Sequence, residues 1–107
     1  MTPLHYAAYS NFSAVISLLI SRGGDPNARD LLGRTPLHHA AEQHSTAAAY
    51  ALILAGASLD TQDVYKRTPL IIAATKGNLE IVEIFENFYI QRLKRVSMAD
   101  KSHAFMR

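Results

Sequence analysis

Histidines are the residues of this 107-residue chain best suited to chemistry. There are five of them and no cysteine, so a metal site would have to rest on imidazole and carboxylate. His39 and His44 are five residues apart, whereas two ligands on one helix face need i, i+4 spacing. Glu42 is the nearest carboxylate in sequence. The pattern argues for structural or surface histidines over zinc, and no metal or other cofactor is expected. For catalysis the chain offers no GxSxG, no phosphate-binding loop and no HExxH. Ser, His and Asp are present, but no spacing converges them, so an enzyme is not expected.

Two of the histidines lead to the organisation of the chain instead. His5 lies in TPLHYAA (2–8) and His38 in TPLHHAA (35–41), and TPLIIAA follows at 68–74. The three Thr-Pro-Leu triplets start at Thr2, Thr35 and Thr68, a constant interval of 33 residues. In that register Asn11, His44 and Gly77 coincide, as do Val15-Ile16, Ala48-Ala49 and Ile81-Val82, then Leu18-Leu19, Ala51-Leu52 and Ile84-Phe85, and Gly23 with Gly56.

Each column has a physical reading. Thr suits a helix N-cap, and Pro at the first helical position gives up an N–H that has no partner there. The small Ala pair lets a second helix come close. Asn11 or Gly77 can take the left-handed conformation that ends a first helix. The apolar spacing from Val15 to Leu19 predicts a second helix, stopped at Gly23 and Gly56. The polar stretch after each glycine, with Gly33 near its end, suits a hairpin-like turn. One helix–turn–helix unit cannot bury its apolar face alone, so the units must stack.

These residues resemble the ankyrin repeat family. Thr2–Ala7 and Thr35–Ala40 match its T-P-L-H-x-A signature in full, and Thr68–Ala73 departs only at Ile71. The resemblance covers about residues 2–87 and implies an all-α solenoid of helix–turn–helix units joined by hairpin-like loops. Three repeats are expected, at 1–34, 35–67 and 68–97, with a loose tail at 98–107. A tetratricopeptide array fails on both period and signature. The resemblance also implies that His5 and His38 hydrogen-bond within the turn network, and that Asn27 occupies a hairpin position that can be hydroxylated.

Two departures stand out. No polar capping unit precedes Thr2, so Leu4, Tyr6 and Tyr9 are expected near an open end; this hints at a fragment, at cover by another segment, or at self-association there. In the third repeat Tyr89 replaces the terminating glycine, and apolar spacing continues through Phe88, Leu93 and Val96. The last helix is therefore expected to run long, with Glu80, Glu83 and Glu86 early and Arg92, Lys94 and Arg95 late, favourable to its dipole.

The resemblance implies non-catalytic protein binding through hairpin tips and the concave helix face. By register the tip positions are Leu31, Leu32 and Arg34, then Val64, Tyr65 and Arg67; the helix positions are Tyr9, Ser10, Glu42, Gln43, Thr75 and Lys76. Apolar pairs flanked by Arg at both tips have the composition of an interface core. Lys66 stands at the Gly33 position, so the second tip is expected to differ in shape. The competing readings are a structural piece of a longer array and charge-driven binding of nucleic acid or anionic membrane through the basic segment at 91–107.

Composition bears on that choice. Apolar residues make up 49% and charged residues 19%, as in a folded domain. The net charge is +2. Residues 1–87 carry six Lys/Arg against eight Asp/Glu, and residues 88–107 carry five against one. Outside its tail the chain has no polyanion-binding balance, which argues against nucleic acid and membrane partners. No secretory signal is visible at the start, so an intracellular protein is expected.

Overall fold

A computed structural model describes the backbone of residues 1–105 and the side chains of residues 1–95. Six helices follow one another: α1 (Pro3–Tyr9), α2 (Ser13–Ser21), α3 (Pro36–Glu42), α4 (Thr46–Leu54), α5 (Pro69–Thr75) and α6 (Leu79–Phe105). No strand occurs among the described residues. The short helices α1, α3 and α5 pack side by side in one layer, with α2, α4 and α6 behind them in a second. The fold is an all-α solenoid of stacked helix pairs.

Local chemistry starts and stops each helix as the columns require. Thr35 Oγ1 accepts the His38 N–H and Thr68 Oγ1 accepts the Ile71 N–H, relieving first-turn donors. Each first helix ends by the same device: the N–H of Phe12, Ser45 and Asn78 reaches five residues back, to the carbonyls of Ala7, Ala40 and Ala73. That closure needs a left-handed residue just before it. Asn11, His44 and Gly77 supply it, with φ of 60°, 56° and 68°. His44 is thus a chain-reversing residue. The second helices close likewise at Gly23 and Gly56, where φ is 90° and 94°.

At the equivalent position Tyr89 offers no such stop. α6 continues for 27 residues, against nine for α2 and α4. Its extension is anchored: the Tyr89 hydroxyl donates to Asp60 at 2.8 Å, and Arg92 lies 3.6 Å from the same carboxylate. The loose tail expected from residue 98 is instead helical to Phe105; residues 106–107 lie outside the described residues, as does the Val96 side chain.

Leu4, Ile16, Leu37, Leu52, Ile72, Ile81 and Phe85 form the core with the alanine pairs Ala7-Ala8, Ala40-Ala41 and Ala48-Ala49. Alanine at these columns leaves no side chain to hold the helices apart, so the layers approach to core packing density. Leu4, expected near an open end, is buried within the first unit; Tyr6 and Tyr9 are exposed as expected.

Candidate interaction surface

The hairpin tips are built on two aspartates, Asp30 and Asp63, that coincide in the 33-residue register. Asp30 Oδ1 accepts the N–H groups of Leu32 and Arg34, each at 2.9 Å. Asp63 Oδ1 accepts those of Tyr65 and Arg67, again at 2.9 Å. The second carboxylate oxygen takes the guanidinium of its own hairpin, Arg34 at 3.2 Å and Arg67 at 2.9 Å. Each aspartate therefore templates a turn and holds its arginine in place.

This template overrides the glycine-to-lysine difference. Lys66 has φ of 62° and Gly33 has 73°, and the backbone bonds from the Gly33 N–H to the Asp30 carbonyl and from the Lys66 N–H to the Asp63 carbonyl are both 2.9 Å. The tips share one geometry, contrary to the shape difference expected from Lys66. A non-glycine residue in this conformation carries about 1 kcal/mol of strain, less than the charged hydrogen bonds around it supply. Gly33 itself is constrained further, because a Cβ there would lie 2.9 Å from Arg29 Nη2.

Adjacent tips are bonded to each other. The Val64 N–H donates to the Leu32 carbonyl at 2.9 Å. Arg29 donates to the Gly33 carbonyl at 3.1 Å and also to the carbonyl of Gln62. Leu31, Leu32, Val64 and Tyr65 are all exposed, Leu31 completely. The Arg67 guanidinium lies over the Tyr65 ring, 5.2 Å from its centroid.

The helix positions are joined to the tips unevenly. Arg34 reaches Glu42 at 3.6 Å, and Tyr9 lies edge-on to the His39 ring, 6.4 Å between centroids. Ser10, Gln43 and Lys76 follow directly after the short helices, and all three are exposed. The Thr75 hydroxyl donates to the Ile71 carbonyl. Among the described residues no hydrogen bond or ion pair ties Thr75 or Lys76 to a tip.

Histidines fasten these parts together. His5 Nδ1 accepts the Thr2 N–H at 3.0 Å, and its Nε2–H donates to the Arg34 carbonyl at 2.9 Å. His38 repeats this with Thr35 at 3.0 Å and Arg67 at 2.8 Å. The imidazole thus ties each unit to the end of the next hairpin. His39 Nε2 bonds Asp30 at 2.9 Å; its nearest carboxylate in space is Asp30, not the sequence-adjacent Glu42.

Charge in this cluster follows from its bonds. Burial would raise the Asp30 pKa, but the hydrogen bonds from His39, Arg34 and Leu32 outweigh it and hold the carboxyl well below its usual range. Asp63 behaves alike: burial pushes up, and the Arg67 and Tyr65 bonds pull further down. Burial lowers the His39 pKa despite the opposing pull of Asp30. The pair is best described as a neutral imidazole donating to a carboxylate.

His5, Asp30 and His39 bring potential ligand atoms within 4.8 Å of one another. Sequence spacing conceals the grouping, because the carboxylate arrives on a hairpin. It is nevertheless poorly suited to a cation. Both His5 nitrogens and the His39 Nε2 are already hydrogen-bonded, and the Arg34 guanidinium occupies the same carboxylate. Metal binding would have to displace two hydrogen bonds and a fixed positive charge.

Asn27 is exposed, and its side-chain carbonyl accepts the Ser58 N–H at 2.7 Å, another link between consecutive hairpins. Among the described residues, no helix is long and apolar enough to cross a membrane.

No curated protein matches the chain. A family model described as ankyrin repeats, in three copies, matches residues 4–91. Taken with the stacked helix pairs and their bonded hairpins, that match identifies the chain as a member of the ankyrin repeat family, whose repeats are generally protein–protein interaction modules.

Proposed function

We propose that the chain binds a protein partner, without catalysis, through a surface centred on Leu31, Leu32, Val64 and Tyr65 and extending over Arg34, Arg67, Tyr9 and Glu42. Ser10, Gln43, Thr75 and Lys76 form its periphery. The observation that carries this reading is the Val64–Leu32 backbone bond. It joins two exposed apolar tips into one continuous patch before any partner arrives, so little ordering entropy is lost on association. Tyr65 is the natural anchor: a rigid aromatic beside a fixed guanidinium, the composition enriched at binding hot spots.

The alternative, a polyanion-binding basic helix, is weakened by the side chains at its start. Arg92 is directed to Asp60 and the Tyr89 ring. Its remaining side chains from Val96 onward lie outside the described residues.

The test is capture of partners from a lysate with wild-type chain as bait, followed by affinity measurement with a recovered partner. Leu32→Ser with Tyr65→Ser is expected to leave thermal stability nearly unchanged and to lower affinity at least about thirtyfold. Charge reversal at Arg92 and Arg95 is expected to matter little. The opposite pattern, together with a steep loss of affinity with salt, would shift function to the basic helix.

A further inference from the structure

The two hairpin arginines are held alike but end differently. Nε of Arg34 and Nε of Arg67 donate to the aspartates of their own turns, at 3.2 and 2.9 Å. Beyond that bond the two units diverge. Arg34 Nη1 lies 3.6 Å from the carboxylate of Glu42, the last residue of α3. In the 33-residue register Thr75, the last residue of α5, stands at the Glu42 position. Its hydroxyl is turned to the Ile71 carbonyl, 2.8 Å away. Among the described residues, no acceptor is bonded to the Arg67 Nη nitrogens or to the Lys66 and Lys76 ammonium groups.

Charge at the second tip is therefore one-sided. Asp63 is the carboxylate of the turn; its side chain is wholly buried, with both oxygens bonded within the turn. The Arg67 side chain is 43% exposed, and Lys66 and Lys76 are exposed as well. The turn hides the anion and leaves the cations at the surface. Beside them lie the uncharged Leu32, Val64 and Tyr65, the last beneath the Arg67 guanidinium.

We propose, in an inference that rests on the tip surface put forward above, that the protein partner presents an acidic segment there. One of its Asp or Glu side chains seats against Arg67, and a neighbouring apolar side chain lies on Leu32, Val64 and Tyr65. The Arg34–Glu42 pair shows where a carboxylate sits beside such an arginine, at the end of the short helix. Because Asp63 fixes Nε, the Arg67 fork is already oriented, and a carboxylate can engage its Nη nitrogens with little loss of side-chain entropy. A nucleic-acid strand fits less well. Phosphates call for an extended run of cations, whereas these cations border an apolar patch.

Selection from a displayed random-peptide library against the immobilised chain tests this. Wild type is expected to enrich peptides carrying Asp or Glu within a few residues of Leu, Phe or Trp. Changing that acid to its amide is expected to weaken binding about five- to tenfold. Thr75→Glu gives Arg67 an internal carboxylate, as Glu42 gives Arg34, without touching the turn. It is expected to weaken the acidic peptide by a similar factor at a nearly unchanged melting temperature. Thr75→Gln, of the same size and neutral, is expected to bind as wild type does, and the amide peptide should not distinguish the three chains. A selection that enriches no peptide, peptides without an acid, or an acid whose amide binds equally well would overturn the acidic partner. If such acid-independent peptides still lose affinity on Leu32→Ser with Tyr65→Ser, the tip surface itself stands; peptides indifferent to that double substitution overturn both. A single-stranded DNA oligonucleotide that binds wild type more tightly than any selected peptide, and weakens on Thr75→Glu, would overturn a protein partner in favour of a polyanion.

Discussion

His38 and Arg67 meet across the boundary between the second and third units, where the imidazole Nε2–H donates to the Arg67 carbonyl at 2.8 Å. Nδ1 of the same ring accepts the Thr35 N–H at 3.0 Å. Both nitrogens are thereby committed to one neutral tautomer, and a second proton would set Nδ1 against a backbone donor.

Stability should therefore fall on mild acidification. Burial lowers the His38 pKa from 6.5, against the pull of its bond to Arg67, and burial lowers that of His39 in the same way. Just below pH 6.5 the unfolded chain binds protons that the folded chain refuses, so stability is complete above about 6.5 and declines beneath it. Thermal midpoints measured at pH 7.5 and 5.5 should show the decline, and His38→Gln should flatten it. A further loss is expected below about pH 3.8, as Asp30 and Asp63, whose carboxyls are also depressed in the folded state, become protonated in the unfolded chain first. A midpoint constant from pH 7.5 to 5.5 would mean that the histidines take up protons without opposition.

Lys66 and Asp63 make opposite contributions to one turn. Lys66→Gly removes left-handed strain at an exposed position and should stabilise the chain by up to about 1 kcal/mol, despite the added entropy of the unfolded state. Asp63→Ala strips the acceptor from two backbone N–H groups and should destabilise by about 2–3 kcal/mol. Urea midpoints of the two variants check both signs. If both are neutral, the aspartate does not template the tip.

Leu52 is fully buried in the middle unit. Leu52→Ala should cost about 2–5 kcal/mol through the cavity it leaves. Three repeats are near the minimum for an independently stable array, so one cooperative transition is expected. A biphasic melt would show units unfolding separately.

Protection from amide exchange should continue through α6 at least as far as Leu93. The Tyr89–Asp60 bond fastens the extension, and burial followed by the Asp60 hydrogen bond raises the phenol pKa to about 12. Tyr89→Phe keeps the ring and removes the bond, so faster exchange should appear first beyond residue 89. Fast exchange from Tyr89 onward in the wild type would show that this anchor does not hold.

The 33-residue period, the Thr-Pro starts and the glycine stops are local properties. Each rests on what one residue's backbone permits, so the helix order and the absence of a stop at Tyr89 could be read from sequence alone. The candidate tip positions were legible for the same reason, since register carries them from one unit to the next. What the tertiary structure decided was everything that depends on several residues at once. Lys66 adopts the conformation of Gly33 because Asp63 bonds around it, a balance of strain against charge that no single residue reveals. Asp30 and His39 became partners only when a hairpin folded back over the following helix. Leu4 was drawn inside while Tyr6 and Phe12 stayed out, because burial of an apolar side chain depends on which neighbour the solenoid brings to it.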